Sequence, residues 1–201
     1  MMQNPHHINR VDIEIPEGAA GIFSVISGYG FIVDAPIGVS VKTLLVSIPG
    51  FDADYVENHI GTILHDGKPV DDIETWTIDR PATIALSGAL PGIFGAAFRR
   101  HGRFAALRPR EMPAGNDLRP RSATIPITLK LFNLTAKEIG PALLQKGVRM
   151  TAGGFRSLWK NVLTLDTGQS VKVWLDGSNT DPGSLAQAVR SEHVLLCVTT
   201  R

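Results

Sequence analysis

Apolar and polar side chains alternate over 11–15 (VDIEI), the pattern of a half-buried strand, which Pro16 and Gly18 bring to a stop. Residues 19–27 suit a short helix or a strand equally. Strand character returns at 31–33 and over 39–48, where Pro49-Gly50 ends it. Residues 51–60 read as a helix, because Asp52 or Asp54 can cap the start and Gly61 the end. The run 63–70, ILHDGKPV, is the sharpest local signal: Asp66-Gly67 between apolar flanks predicts a tight hairpin turn. A short buried strand follows at 82–87, between Pro81 and Gly88.

The seventeen residues 82–98 carry no charge, and the chain then turns into RRHGRFAALRPREMPAGNDLRPR. Leu90-Pro91 can open a helix running to about Arg100, since a proline there loses no hydrogen bond, with Gly102 as its left-handed cap. Gly88, Gly92 and Ala96 would share one face of a helix that held all three and let another backbone come close. A bilayer span is the alternative. Gly88, Pro91, Gly92 and Gly95 weaken a continuous helix, so a buried strand plus a core helix is preferred and no membrane partner is expected.

From 99 to 121 seven arginines stand against two acids, Glu111 and Asp117. Arg99 and Arg100 complement the dipole of the preceding helix. Pro109, Pro113, Gly115 and Pro120 make 109–121 an extended linker or loop. A solvated linker is the simpler reading; arginines gripping phosphate or carboxylate are the sharper one. The glycine-rich turn at 88–95 can cradle an anion on its N–H groups, although its spacing matches neither a dinucleotide fingerprint nor a phosphate loop. The candidate ligand-binding residues are therefore Gly88, Gly92, Arg99, Arg100 and Arg103.

Beyond the linker, 123–132 reads as a strand that Pro126 pushes towards a sheet edge. Thr135 and Glu138 fit a capping box for a helix to Lys146, kinked or restarted at Gly140-Pro141 and capped by Gly147. A short strand is expected at 148–150, a loop at Gly153-Gly154 and a helical turn at 156–160. A second hairpin is expected from 162–165 and 169–175 around Asp166-Thr167-Gly168, then a helix at 184–190 and a last strand at 194–199. Trp159 and Trp174, beside Arg156, Lys160 and Lys172, suit a core ringed by cations or, alternatively, a stacking platform for single-stranded nucleic acid.

With 201 residues, 43% hydrophobic and 19% charged, the chain can bury a real core in one domain or two small ones. Its net charge of +1 hides an imbalance: 1–98 holds four basic and twelve acidic residues, and 122–201 nine basic and five acidic. The two halves can face one another, within one molecule or between two, or the basic side can meet an anionic partner. The single cysteine, Cys197, rules out an intrachain disulfide and sits in a strand-like run as a small hydrophobe. The histidines show no metal-ligand spacing, and Asp52, Asp54 and Glu57 no calcium-loop pattern, so no metal or cofactor is expected. Gly67-Lys68 misses a phosphate loop by one residue of spacing, and Pro69 stands where a hydroxyl is needed. The first ten residues lack the apolar core of a signal peptide, so a cytoplasmic location is expected.

The helix at 51–60, TILHDGKPVDD and TIDRPATIAL together resemble the β-grasp pattern of ubiquitin-like proteins and the ThiS and MoaD sulfur carriers, over about 41–88. The resemblance implies a β-grasp-like subdomain. It does not carry sulfur transfer over, because the carriers end in an exposed Gly-Gly and the one here, at 153–154, is internal. The expected architecture is α+β: an acidic β-grasp-like subdomain over 1–108, a linker over 109–121, and a basic α+β subdomain with a mixed or antiparallel sheet over 122–201. With no nucleophile elbow, zinc-protease motif or phosphate loop, a non-enzymatic binding or assembly module is the leading reading, its partner a second copy or an unidentified protein. Nucleic-acid binding through 99–121, and an enzyme holding a small anionic ligand between the subdomains with Asp71 or Asp72 as acid or base, are the alternatives.

Overall fold

The computed structural model describes residues 8–19, 21–105, 123–165 and 171–201. In chain order the elements are β1 (Asn9–Ile15), α1 (Gly21–Tyr29), β2 (Phe31–Pro36), β3 (Val39–Ser40), α2 (Val41–Ser47), a π-helix (Tyr55–His59), β4 (Thr62–His65), β5 (Lys68–Pro69), β6 (Thr77–Ile78), β7 (Ala82–Ser87) and α3 (Gly92–Phe98). There follow β8 (Thr124–Phe132), α4 (Asn133–Glu138), α5 (Gly140–Lys146), β9 (Val148–Thr151), α6 (Ala152–Leu165), β10 (Lys172–Leu175), β11 (Ser178–Thr180), α7 (Pro182–Ala188) and β12 (His193–Thr200). The fold is α+β with mixed strand pairing. The chain forms two compact units, Met1–Phe31 with Gly140–Arg201, and Ile32–Ile139, so β1 groups with the C-terminal residues and not with 32–108. The expected linker 109–121 lies outside the described residues.

In the first unit the strand order is β11-β10-β1-β12-β9. β1 runs parallel to β12 and antiparallel to β10, and β12 runs antiparallel to β9. Val11, Ile13 and Ile15 point inward at every second position, as the alternation predicts. The expected loop at Gly153-Gly154 and strand at 162–165 are both part of α6. Phe155, Leu158, Trp159 and Val162 are buried at intervals of three and four, a spacing only a helix turns to one side, and the Thr151 Oγ1 accepts the Gly154 N–H at 3.0 Å to fix the start. Trp159 is core: it is 1% exposed, and its indole N–H donates to the Pro182 carbonyl at 2.7 Å. The second hairpin joins β10 to β11 through Asp176-Gly177; the turn expected at 166–168 lies outside the described residues.

In the second unit the order is β2-β8-β7-β4-β5, with β3 and β6 forming a small sheet of their own. β7 and β8 run parallel from Ala82↔Ile127 to Ser87↔Phe132, and β4 pairs antiparallel with β7. The hairpin at Asp66-Gly67 forms as predicted, with both residues left-handed (φ 49° and 81°). β8 lies between β2 and β7 rather than at an edge, and Pro126 falls before Ile127, the first residue in register with β7. Of the strand expected at 39–48 only β3 forms. The rest is α2, because Ser40 accepts the Thr43 N–H at 3.1 Å and Val41, Leu44 and Leu45 fall on one buried side. The capping box at Thr135 does not form either: β8 passes into α4 through a left-handed Asn133 (φ 52°), and Thr135 lies inside the first turn. Of the segments that carry the β-grasp resemblance, the hairpin and β7 form, and of the strand expected before the helix only β3 does.

Candidate interaction surface

Residues 51–60 do turn helically, but mainly as the π-helix, a wide turn that is rare and concentrates at functional sites. Asp52 starts it as expected, its Oδ1 accepting the Tyr55 N–H at 2.7 Å. Tyr55 donates its hydroxyl to Glu138 Oε2 at 2.6 Å, and the His59 ring stacks on it with centroids 5.1 Å apart. Burial, and then the Glu138 carboxylate, push the Tyr55 hydroxyl pKa up, so it stays a neutral donor.

Arg100 closes the far end of the turn. It is 5% exposed; Nη1 donates to the carbonyls of Val56 (3.0 Å) and Ile60 (3.5 Å), Nη2 reaches Glu57 at 3.4 Å, and the backbone N–H donates to the Gly61 carbonyl at 2.7 Å. Burial disfavours the charged guanidinium, and Glu57, Asp71 and Asp72 oppose that effect. Next to this clasp two backbones meet: a Cβ on Gly61 would stand 2.6 Å from the Gly88 carbonyl oxygen. A Cβ on Gly88 would stand 3.1 Å from the His59 carbonyl and 3.2 Å from Leu134 Cβ. The end of β7, the end of the π-helix and the start of α4 therefore converge on one point.

The sequence-predicted residues divide here. Arg100 and Gly88 both meet Gly61, the first through its backbone N–H and the second through its carbonyl. α3 begins at Gly92, so Gly88 shares no helical face with Gly92 and Ala96, and the left-handed residue after the helix is His101 (φ 55°) rather than Gly102. Gly92 meets nothing within 4 Å of where a Cβ would stand. Arg99 and Arg103 flank the clasp and are exposed.

Periodicity did not single out the apolar side chains left outside at this end. Ile93 is 87% exposed, Phe104 47%, Leu134 45% and Phe132 39%. They are four of the seven large hydrophobics exposed among the described residues. From 80 to 110 the sequence has six arginines and no acid. The acids of this end, Asp52, Asp54, Glu57 and Glu138, are exposed on the π-helix side. Among the described residues no group of His, Cys, Asp and Glu could hold a metal ion, and no helix is long and apolar enough to cross a membrane. No protein-family model, no curated protein and no solved structure matches the chain.

Proposed function

We propose that the protein is a non-enzymatic binding or assembly module and that its contact surface is this end of the second unit. The observation that carries the reading is the 87% exposure of Ile93 on α3, in the unit that also exposes Phe104, Leu134 and Phe132. Apolar exposure concentrated in one place and rimmed by polar groups marks a surface that another molecule covers. The polar groups support binding over catalysis: the Arg100 guanidinium is engaged by backbone carbonyls, and Tyr55 is a high-pKa hydroxyl tied to Glu138. Native mass spectrometry of wild type and Ile93→Asp tests the reading. The wild type is expected to carry additional mass, of its own kind or another, that Ile93→Asp loses. A bare wild-type monomer, or extra mass that the substitution leaves in place, would contradict it.

A further inference from the structure

We propose that His65 is a pH-sensitive latch: its neutral imidazole keeps the strap 70–78 closed, and a proton on that imidazole loosens the strap from β3 and the start of α2. His65 ends β4, opposite Lys68 on β5 and Ile84 on β7, and it is buried. The Trp76 ring of the strap lies against it, with centroids 5.6 Å apart. Neither the His65 Nε2 nor the Trp76 indole N–H has a hydrogen-bond partner, so packing and not a bond between these nitrogens holds the rings together. The strap leads from β5 to β7 and includes the two-residue β6, which pairs with Val39 and Ser40. Its carbonyls accept N–H groups from the stretch before and within α2: Gly38 donates to Ile78 at 2.7 Å, Val41 to Trp76 at 2.9 Å and Lys42 to Ile73 at 3.0 Å. Val70, Ile73 and Ile78 are buried and anchor the strap, so the proton shifts an opening equilibrium and does not detach the segment.

A proton on Nε2 turns an apolar contact into a buried cation with a new donor. The Trp76 indole N–H is a donor only and cannot receive it. The charged groups around the imidazole are Asp66 in the hairpin turn, Lys68 on β5, and Asp79 and Arg80 ahead of β7. Asp66 is already engaged, its Oδ1 by the Thr83 N–H and its Oδ2 by Arg80, both at 2.8 Å. Burial is the largest influence and disfavours the cation; Asp66 and Asp79 favour it, Arg80 opposes it, and the balance holds the imidazole below its ordinary value. An indole face attracts a cation only weakly beside the cost of burying one. When the strap opens, water reaches the imidazole and its ordinary value of about 6.5 returns. The open form therefore takes up the proton first, and opening grows as pH falls through about 6.5.

The experiment is residue-resolved amide exchange by NMR on the full chain at pH 7.5 and 5.5, for wild type and His65→Gln, with each rate corrected for the intrinsic effect of pH. The Gly38, Val41 and Lys42 amides report on the strap because its carbonyls are their acceptors. Their opening should grow several-fold on acidification, with a ceiling of about tenfold set by two pH units that straddle 6.5, while amides of β8 stay unchanged. His65→Gln, neutral at both pH values, should abolish the increase. Wild-type exchange at Gly38, Val41 and Lys42 that ignores pH overturns the proposal. So does an increase that survives in His65→Gln, or one that β8 shares in full. Should His65→Gln fail to fold, titration of the wild-type His65 side chain decides: its protonation must move together with the backbone signals of 70–78, and a titration that leaves those signals in place overturns the latch.

Discussion

The two units share a device and reinforce it differently. In each, a left-handed Asp-Gly pair turns a hairpin, and the aspartate brackets the neighbouring strand. Asp176 donates its N–H to the Arg10 carbonyl and accepts the Arg10 N–H on Oδ1, both at 2.8 Å. Asp66 does the same with Thr83, again at 2.8 Å. In the first unit the second carboxylate oxygen receives the Asn9 amide at 2.6 Å. Asn9 is buried, and its own oxygen accepts the N–H groups of Arg190 and Ser191. In the second unit that oxygen meets the Arg80 guanidinium, whose side chain is 57% exposed, at 2.8 Å. The helices differ in the same direction. In the first unit α6 runs fourteen residues and buries Phe155, Leu158, Trp159 and Val162 along one side, whereas among the described residues no helix of the second unit is longer than seven residues. One plan thus serves a unit whose bracket is backed by the buried amide of Asn9 and a unit whose bracket is backed by the exposed guanidinium of Arg80, and the exposed apolar side chains gather on the second.

The contrast breaks most visibly in the cores. Trp159→Ala removes the largest fully buried side chain of α6 and should cost about 3–5 kcal/mol in denaturant unfolding. Ile93→Ala on α3 should change stability by less than about 0.5 kcal/mol, because little of it is buried. A large loss at Ile93 would mean that α3 is a structural element and not a surface.

Arg100→Leu should cost about 2–4 kcal/mol, since it leaves the Val56 and Ile60 carbonyls without their donor in a buried place. Hydrogen exchange should quicken at 55–61 and stay unchanged in α6. A substitution that leaves 55–61 as protected as before would remove the clasp from the account.

Asp66→Ala and Asp176→Ala should each cost about 1–2 kcal/mol, the scale of a lost local cap. Salt separates them. At about 1 M NaCl the Debye length falls to about 3 Å, so the Arg80 contribution to the Asp66 bracket should shrink while the Asn9–Asp176 bond persists. Equal salt dependence of the two variants would show that the reinforcements do not differ.

The smallest effect concerns acid. His65, at the base of the second unit's hairpin, is 7% exposed, and its ring lies 5.6 Å from Trp76. Neither the His65 Nε2 nor the Trp76 indole N–H has a hydrogen-bond partner. Burial, against the pull of Asp66, holds the imidazole below its ordinary value. The unfolded chain therefore takes up the proton first, and stability should fall as pH drops below about 6.5, levelling once the folded state also protonates. A second loss follows below about pH 4. Burial raises the Asp66 pKa, but the Thr83 N–H and Arg80 outweigh it and hold the carboxyl low. His65→Gln should flatten the first slope and spare the second. Stability that rises on acidification from pH 7 to 5 would contradict the sign.

Local chemistry explains which parts of this fold are legible in the sequence. The Asp66-Gly67 hairpin is readable because a type I′ turn needs two left-handed residues and names them. Asp176-Gly177 carries the same signal, but Asp166-Thr167-Gly168 a few residues earlier competes with it. α2 and α6 are hard to read because Val, Thr and two adjacent glycines speak against a helix, while the decisive burial of Leu44, Leu45, Phe155 and Trp159 comes from tertiary packing. The arginine cluster is plain as charge. Which arginine is buried is not, because the choice depends on the Val56 carbonyl 44 residues away. The seventeen uncharged residues read as strand and core helix; the strand forms as β7, but α3 begins only at Gly92 and leaves Ile93 exposed.

The most direct test of the account is hydrogen exchange of the chain carrying its additional mass, a second copy or another molecule, against the chain stripped of it. A contact surface on the second unit predicts that 92–104 and 132–134 are more protected in the loaded form, while α6 exchanges at one rate in both. Exchange at 92–104 that is the same in both forms, or protection that grows in α6 instead, would contradict the assignment of the surface to the second unit.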